Sequence, residues 1–195
     1  MQTKRVVRGV AGALASVVVA AQAAEYQVDA VHSSVGFAIK HLGLSEVQGA
    51  FTNFTGKINY DPAKPEEFKA SGKVEVASIN TGNKMRDDHL RGADFFDAAK
   101  LPEITFATTG IKKGDGDWVV TGQFTLHGVT KEITLRGELT GPLQDPWGKT
   151  RLGISATTKI KRRDYGLTWN KTLDKGGVMI GEEVKITLNI EAVQP

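Results

Sequence analysis

Residues 129 to 141, VTKEITLRGELTG, alternate almost without a break. Val129, Ile133, Leu135 and Leu139 share one parity, and Thr130, Glu132, Thr134, Arg136 and Glu138 share the other. A period of two predicts a strand with one dry face and one wet face. The same pattern recurs along the chain. Val35, Phe37 and Ile39 alternate, as do Val74 and Val76, and Ile104 and Phe106. Trp118, Val120, Gly122, Phe124 and Leu126 form another such face, and Leu152, Ile154, Ala156, Thr158 and Ile160 another. The last runs through Val184, Ile186, Leu188, Ile190 and Ala192. A longer, less regular segment from Glu46 to Tyr60 predicts a strand bent at its glycines. About eight strands joined by short, glycine-rich turns predict an all-β barrel or sandwich.

One segment breaks the period. In TGNKMRDDHLRGADFFDAAKLPEI, Asn83 is placed to cap a short helix running to about Leu90, with Asp87 and Asp88 on its wet side. Asp94 is placed to cap a second turn before Pro102. Residues 83–97 are therefore expected to cover one end of the barrel, with Leu90, Phe95 and Phe96 turned inward. A second irregular stretch, KRRDYGLTWNKTLDKGG, precedes the last strand and offers another cover for an opening. Its basic start, Lys159 to Arg163, reads as a solvated strand end.

The N-terminus does not read as fold. Lys4, Arg5 and Arg8 precede an uncharged run from Gly9 to Ala24, and Ala21-Gln22-Ala23 supplies small residues at a cleavage site. This is the pattern of a secretory signal peptide spanning residues 1–23, cut after Ala23, and the run is short for a membrane span. Residues 24–195 are expected to form a single domain, with no stable span after cleavage. The leader carries three basic residues and no acidic one, so its removal takes the formal charge from +3 to zero. The basic pI near 9.0 thus reflects the leader, and nucleic acid loses its electrostatic argument as a partner. The chain has no cysteine, which removes thiol chemistry and disulfides. With the leader, it points to a bacterial periplasm.

Catalytic motifs are not found. His32, His41, His89 and His127 fall in no metal-ligand spacing, and no nucleophile elbow or phosphate loop occurs. The chain is read as a non-enzyme without cofactor or metal. What the dry face looks at stays open at this level. Gly122, Gly137, Ala156 and Thr158 among large residues signify either interdigitation or room for a guest, and any guest would be an apolar chain.

Five stretches carry a family resemblance: VHSSVGFAIKHLGLSEVQGAFTNFTGKI, NKMRDDHLRGADFFDAAKLPEITFATTGIKK, GQFTLHGVTKEITL, DPWGKTRLGISATTKIKRRDYG and EVKITLNIEAV. In this order they resemble the YceI-like family of periplasmic, polyisoprenoid-binding proteins. The resemblance implies an antiparallel eight-stranded, lipocalin-like barrel with an elongated apolar tunnel. The implied cargo is an isoprenoid chain, such as a polyprenyl phosphate or quinone tail, or another long-chain amphiphile. It leaves a homodimer open. With the inward parities, it points to Phe37, Val76, Phe106, Val120, Phe124, Ile133, Leu135, Ile154 and Leu188 as the surface against the chain. Arg86, His89 and Arg91, clustered in the cap segment, are the candidates for a polar head. A barrel with a filled core serving as a stress or interaction protein is the alternative, and a lipid-modifying enzyme a lesser one. The approach to the last strand, GLTWNKTLDKGGVMIGEEV, departs from the family pattern.

Overall fold

The computed structural model describes residues 23–174 and 176–195. Most of the proposed leader lies outside them. Eleven antiparallel strands form one sheet that closes on itself. They are β1 (Ala24–Val28), β2 (Ser34–His41), β3 (Ser45–Phe51), β4 (Phe54–Tyr60), β5 (Lys69–Glu75), β6 (Ile79–Asn80), β7 (Glu103–Lys113), β8 (Trp118–Leu126), β9 (Val129–Gln144), β10 (Thr150–Lys161) and β11 (Ile180–Val193).

These eleven segments make eight staves. β1 and β2 both run antiparallel to β11, through Gln27↔Val193 and Val35↔Leu188, so they are one stave broken at residues 29–33. β3 and β4 are the next stave, since β2 pairs with β3 and β1 with β4. β5 and β6 are the third, because they pair with β4 and β3 respectively. The remaining five neighbour pairs are β5–β7, β7–β8, β8–β9, β9–β10 and β10–β11, which completes the circuit. The result is an up-and-down eight-stranded barrel, a closure that removes exposed sheet edges.

The breaks explain one departure from strict alternation. The third stave is interrupted by a 3-10 turn at Val76–Ser78. Val76 donates its N–H to Pro102 O and is buried to 1 %. Val76 keeps the inward parity of Ala70, Gly72 and Val74, and the turn brings Ile79, three residues on, into the same core cluster.

Tight links match the turn chemistry. His127 (φ 50°) and Gly128 (φ 74°) both adopt left-handed conformations between Leu126 and Val129, which are cross-strand partners. A two-residue hairpin of this hand fits the sheet's twist. The long connection from β6 to β7 carries helix α1 (Lys84–Arg91), whose cap Asn83 accepts from Arg86 N at 3.1 Å. The helical expectation for residues 92–97 is not met; the chain there proceeds in turns. Phe95 is buried, and Leu90 and Phe96 pack on the core. Asp87 is not on the wet side: it is buried and accepts from the N–H and hydroxyl of Thr81.

Two apolar clusters hold the barrel. One surrounds Phe51, Ile79, Phe124, Leu126, Tyr165 and Leu167 toward the cap. The other, of Tyr26, Ile58, Tyr60, Phe68, Leu152 and Ala192, closes the opposite end.

Candidate functional site

Between the two clusters the barrel is hollow. A cavity of about 520 Å³ runs along its axis, within the range of small-molecule sites. The burial of its lining shows that side chains do not fill it. Phe37, Phe106, Val120, Ile133, Ile154 and Leu188 all point inward yet remain only half-buried. In a packed core they would be sealed by neighbours across the barrel. Here they face space.

Of the nine residues expected against a chain, eight line this cavity: these six with Phe124 and Leu135. Val76 does not, because it is sealed in the core cluster with Phe51, Ile79 and Phe124. Further lining residues are Phe54 and Ile58 of the less regular β4, and Val184 and Ile186 from the regular row of β11.

The glycines resolve into two kinds. A Cβ at Gly122 would collide with the Phe106 ring, one at Gly49 with the Phe37 ring, and one at Gly137 with the backbone at Ser155. These glycines let rings and strands lie close, and they leave no room for a guest. Gly72 and Gly36 are different: a Cβ there meets only carbonyl oxygens, none nearer than 3.7 Å. Both line the cavity.

While Lys73 with Thr55, Ser71 and Thr105 lies along β4, β5 and β7, another group of polar lining residues, Lys40, His41, Arg86, His89 and Arg162, stands at the cap end. β2 ends at this rim, and β11 starts there, since His41 pairs with Ile180. Arg86 is positioned by Thr81, to whose hydroxyl it donates at 2.7 Å and whose carbonyl it meets at 2.8 Å. His89 bonds the Asp94 carboxylate at 3.0 Å and stands edge-on to Phe95 and Trp169, with centroids at 5.0 and 5.1 Å. Phe95 and Trp169 are themselves 5.0 Å apart. This aromatic contact joins the cap segment to the loop before β11. Arg91 is turned away from the cavity. It donates to Ala77 O and Ile79 O and pairs with Asp88, pinning α1 to the third stave.

Arg162 was not anticipated. The solvated strand end expected at Lys159–Arg163 is corrected here, because Arg162 is 3 % exposed. Its guanidinium donates to the carbonyls of Gly181, Leu167 and Trp169 at 2.8, 2.5 and 2.9 Å. Burial lowers its pKa from the usual range, and Glu182, 3.6 Å away, works against that shift. The parity of Ala156, Thr158 and Ile160 continues to Arg162, which was the available signal.

At the closed end, Arg151 bonds Asp29, Asp145 and Glu191 at 2.9, 2.7 and 2.5 Å. Asp29, His32 and Glu191 lie close enough to share a cation, and the guanidinium supplies that positive charge. The hydrogen bond from His32, then that from Arg151, depress the Asp29 pKa to about 2.

Comparison with known proteins agrees with this architecture. The YceI-like domain model matches residues 26–192. Protein YceI of Salmonella arizonae is 40 % identical over 176 residues, covering 89 % of each chain. The crystal structure of BcnA from Burkholderia cenocepacia superposes with a TM-score of 0.74 at 27 % identity, over 84 % of this chain and 98 % of that one. A polyisoprenoid binding domain from Saccharophagus degradans, implicated in plant cell wall breakdown, superposes at 0.63 and 19 % identity, over 89 % of this chain and 100 % of that one. At that identity the likeness is one of fold.

Proposed function

The chain belongs to the YceI-like family, and from that premise we propose that it binds and carries one long-chain amphiphile, of isoprenoid type, inside the barrel. The observation that carries this reading is the half-buried state of the inward aliphatic and aromatic residues around an axial cavity. Such a lining gains nothing from a sugar or nucleotide, whose polar groups would lose water without replacement bonds. An apolar chain of many carbons buries its whole length there, at roughly 25 cal/mol per Å² before association costs. The likeness in fold to a domain described as polyisoprenoid binding supports the same class of guest.

The tail lies against Phe37, Phe106, Val120, Phe124, Ile133, Leu135, Ile154 and Leu188. The polar head stays at the rim, where Arg86 and His89 stand with Lys40 and His41. A phosphate or quinone oxygen there would accept charge-assisted hydrogen bonds. The proposed leader places the protein in the periplasm, where a water-filled gap separates membranes and a carried lipid needs a cover.

Uptake by lumen variants tests this. Leu135→Glu, and separately Phe124→Trp, are compared with the unaltered protein in titrations with a fluorescent polyprenyl phosphate. Circular dichroism confirms that each remains folded. Uptake is expected in the unaltered protein and not in either folded variant. Equal uptake by folded Leu135→Glu would place the chain outside the lumen and defeat the reading.

A further inference from the structure

The cap end of the barrel, where Lys40, His41, Arg86 and Met179 line the cavity, carries exposed apolar side chains. Leu44 is 84 % exposed at the tip of the β2–β3 hairpin. Beside it, Leu42 is exposed in a left-handed conformation at φ 54°. Solvent gives a leucine no reason to occupy that conformation, which glycine or asparagine adopts at lower cost. Leu42 donates its N–H to Met179 O at 2.8 Å, and Met179 lines the cavity. Its neighbour Val178 is exposed as well. On the cap helix, Met85 is 81 % exposed, next to cavity-lining Arg86. The apolar tips therefore continue the lumen's own lining outward, from His41 to Leu42 and Leu44 and from Met179 to Val178.

The charges at this end are largely spent on one another. Lys40 pairs with Glu46 at 3.3 Å, Lys84 with Asp88 at 2.6 Å, Lys159 with Glu183 at 2.8 Å and Arg163 with Glu182 at 2.9 Å. The opposite end also exposes Leu143 and Trp147. Those residues stand at the end of the Tyr26, Ile58, Phe68 and Leu152 cluster, and neither lines the cavity.

We propose that the rim formed by Leu42, Leu44, Val178 and Met85 docks on a lipid bilayer, so that a guest's tail passes between membrane and lumen without crossing water. This rests on the lumen being a site for a long-chain amphiphile. A guest of that kind resides in bilayers, and its tail is exposed during transfer unless the mouth meets the membrane directly. Apolar insertion, more than attraction to anionic lipid, holds the contact, because Lys40, Lys84, Lys159 and Arg163 already have carboxylate partners and Arg86 is held by Thr81. Membrane-surface binding of this kind scales with the apolar area inserted.

The test uses the full chain expressed in cells, purified in the processed form that accumulates, with its N-terminus fixed by intact mass. Three proteins are compared: unaltered, Leu42→Asn with Leu44→Asp, and Trp147→Ser. Each is assayed for flotation with vesicles of phosphatidylethanolamine and phosphatidylglycerol. Each is also assayed for uptake of polyprenyl phosphate from detergent micelles, where no bilayer is needed. The rim variant is expected to lose about tenfold or more in vesicle partition, the loss of one inserted leucine or more. It should retain micellar uptake, and Trp147→Ser should behave as the unaltered protein. Partition should change little with salt or phosphatidylglycerol fraction. Vesicle binding that survives the rim change, or that is lost in Trp147→Ser, overturns the proposal. So does a rim change that only converts a dimer to a monomer, which would assign these side chains to self-association. Absence of micellar uptake in all three proteins would instead defeat the carrier reading, leaving the vesicle arm to judge the rim on its own.

Discussion

Gly72 stands directly opposite Phe106 in the β5–β7 pairing, and the ring does not cover it. Phe106 lies instead across Gly122 of β8. One glycine is filled by a neighbour, the other faces the lumen, and their substitutions should separate stability from capacity. Gly122→Val should destabilise the fold by about 1–3 kcal/mol, since it forces the ring off its seat. Gly72→Val should leave the melting temperature unchanged or raise it, because valine suits a strand, while reducing uptake of a long-chain lipid. Thermal melts and lipid titrations of the two variants check both halves.

The cap should matter to folding and to retention together. Phe95 is buried against Trp169 and His89 and also lines the cavity. Phe95→Ala should cost about 3 kcal/mol and speed release of a bound fluorescent lipid. A variant with unchanged melting temperature and unchanged release rate would show that the cap does not close this end.

Arg162 holds the carbonyls of Leu167, Trp169 and Gly181 around one guanidinium. Arg162→Met keeps the volume and strands those carbonyls, at about 1–3 kcal/mol for each left without a partner. Arg162→Lys should not rescue, because an ammonium lacks the planar fork. Hydrogen exchange should report faster exchange in residues 166–181 of both variants.

The network at the closed end sets an acid limit. Asp29 has its pKa lowered to about 2 from the usual 3.8. A carboxylate depressed on folding stabilises above its unfolded pKa, and that stability is lost as pH falls through the folded value. Stability should therefore drop between about pH 4 and pH 2. Arg151→Met leaves Asp29, Asp145 and Glu191 facing one another, so its melting temperature should fall most at neutral pH. The deficit should shrink in acid, where the carboxylates are protonated. A deficit that does not vary with pH would contradict the electrostatic account.

Export should remove residues 1–23, giving a mature chain that starts at Ala24. Intact mass of protein released from the periplasm decides this, and a mature form retaining Lys4 would contradict it.

Much of this architecture was legible in the alternation of apolar residues. The inward rows of β7 to β11 read directly, because long regular strands keep strict parity and one face must stay dry. The Asn83 cap read equally well, since its chemistry is local. Four features did not. Val76 kept its inward parity but is sealed among core side chains at a 3-10 turn, which no glycine or proline within the turn announces. Asp87 looked solvent-facing because the Thr81 groups that bury it reach it through tertiary folding. At Gly122 and Gly137 the sequence left close packing and space equally open; the Phe106 ring against one and the Ser155 backbone against the other decide for packing, and Gly72 carries the space. Arg162 was in register with an apolar row, but its charge outweighed its position in the reading.

The central claim is that the hollow barrel holds a lipid chain. The most direct measurement is a mass spectrum of the organic-solvent extract of protein purified from its native host. The account predicts one dominant long-chain isoprenoid amphiphile at close to one molecule per chain. It predicts much less of that lipid in the extract of folded Leu135→Glu. An extract of the native protein without lipid, from protein that then takes up neither polyprenyl phosphates nor long-chain quinones, would contradict it.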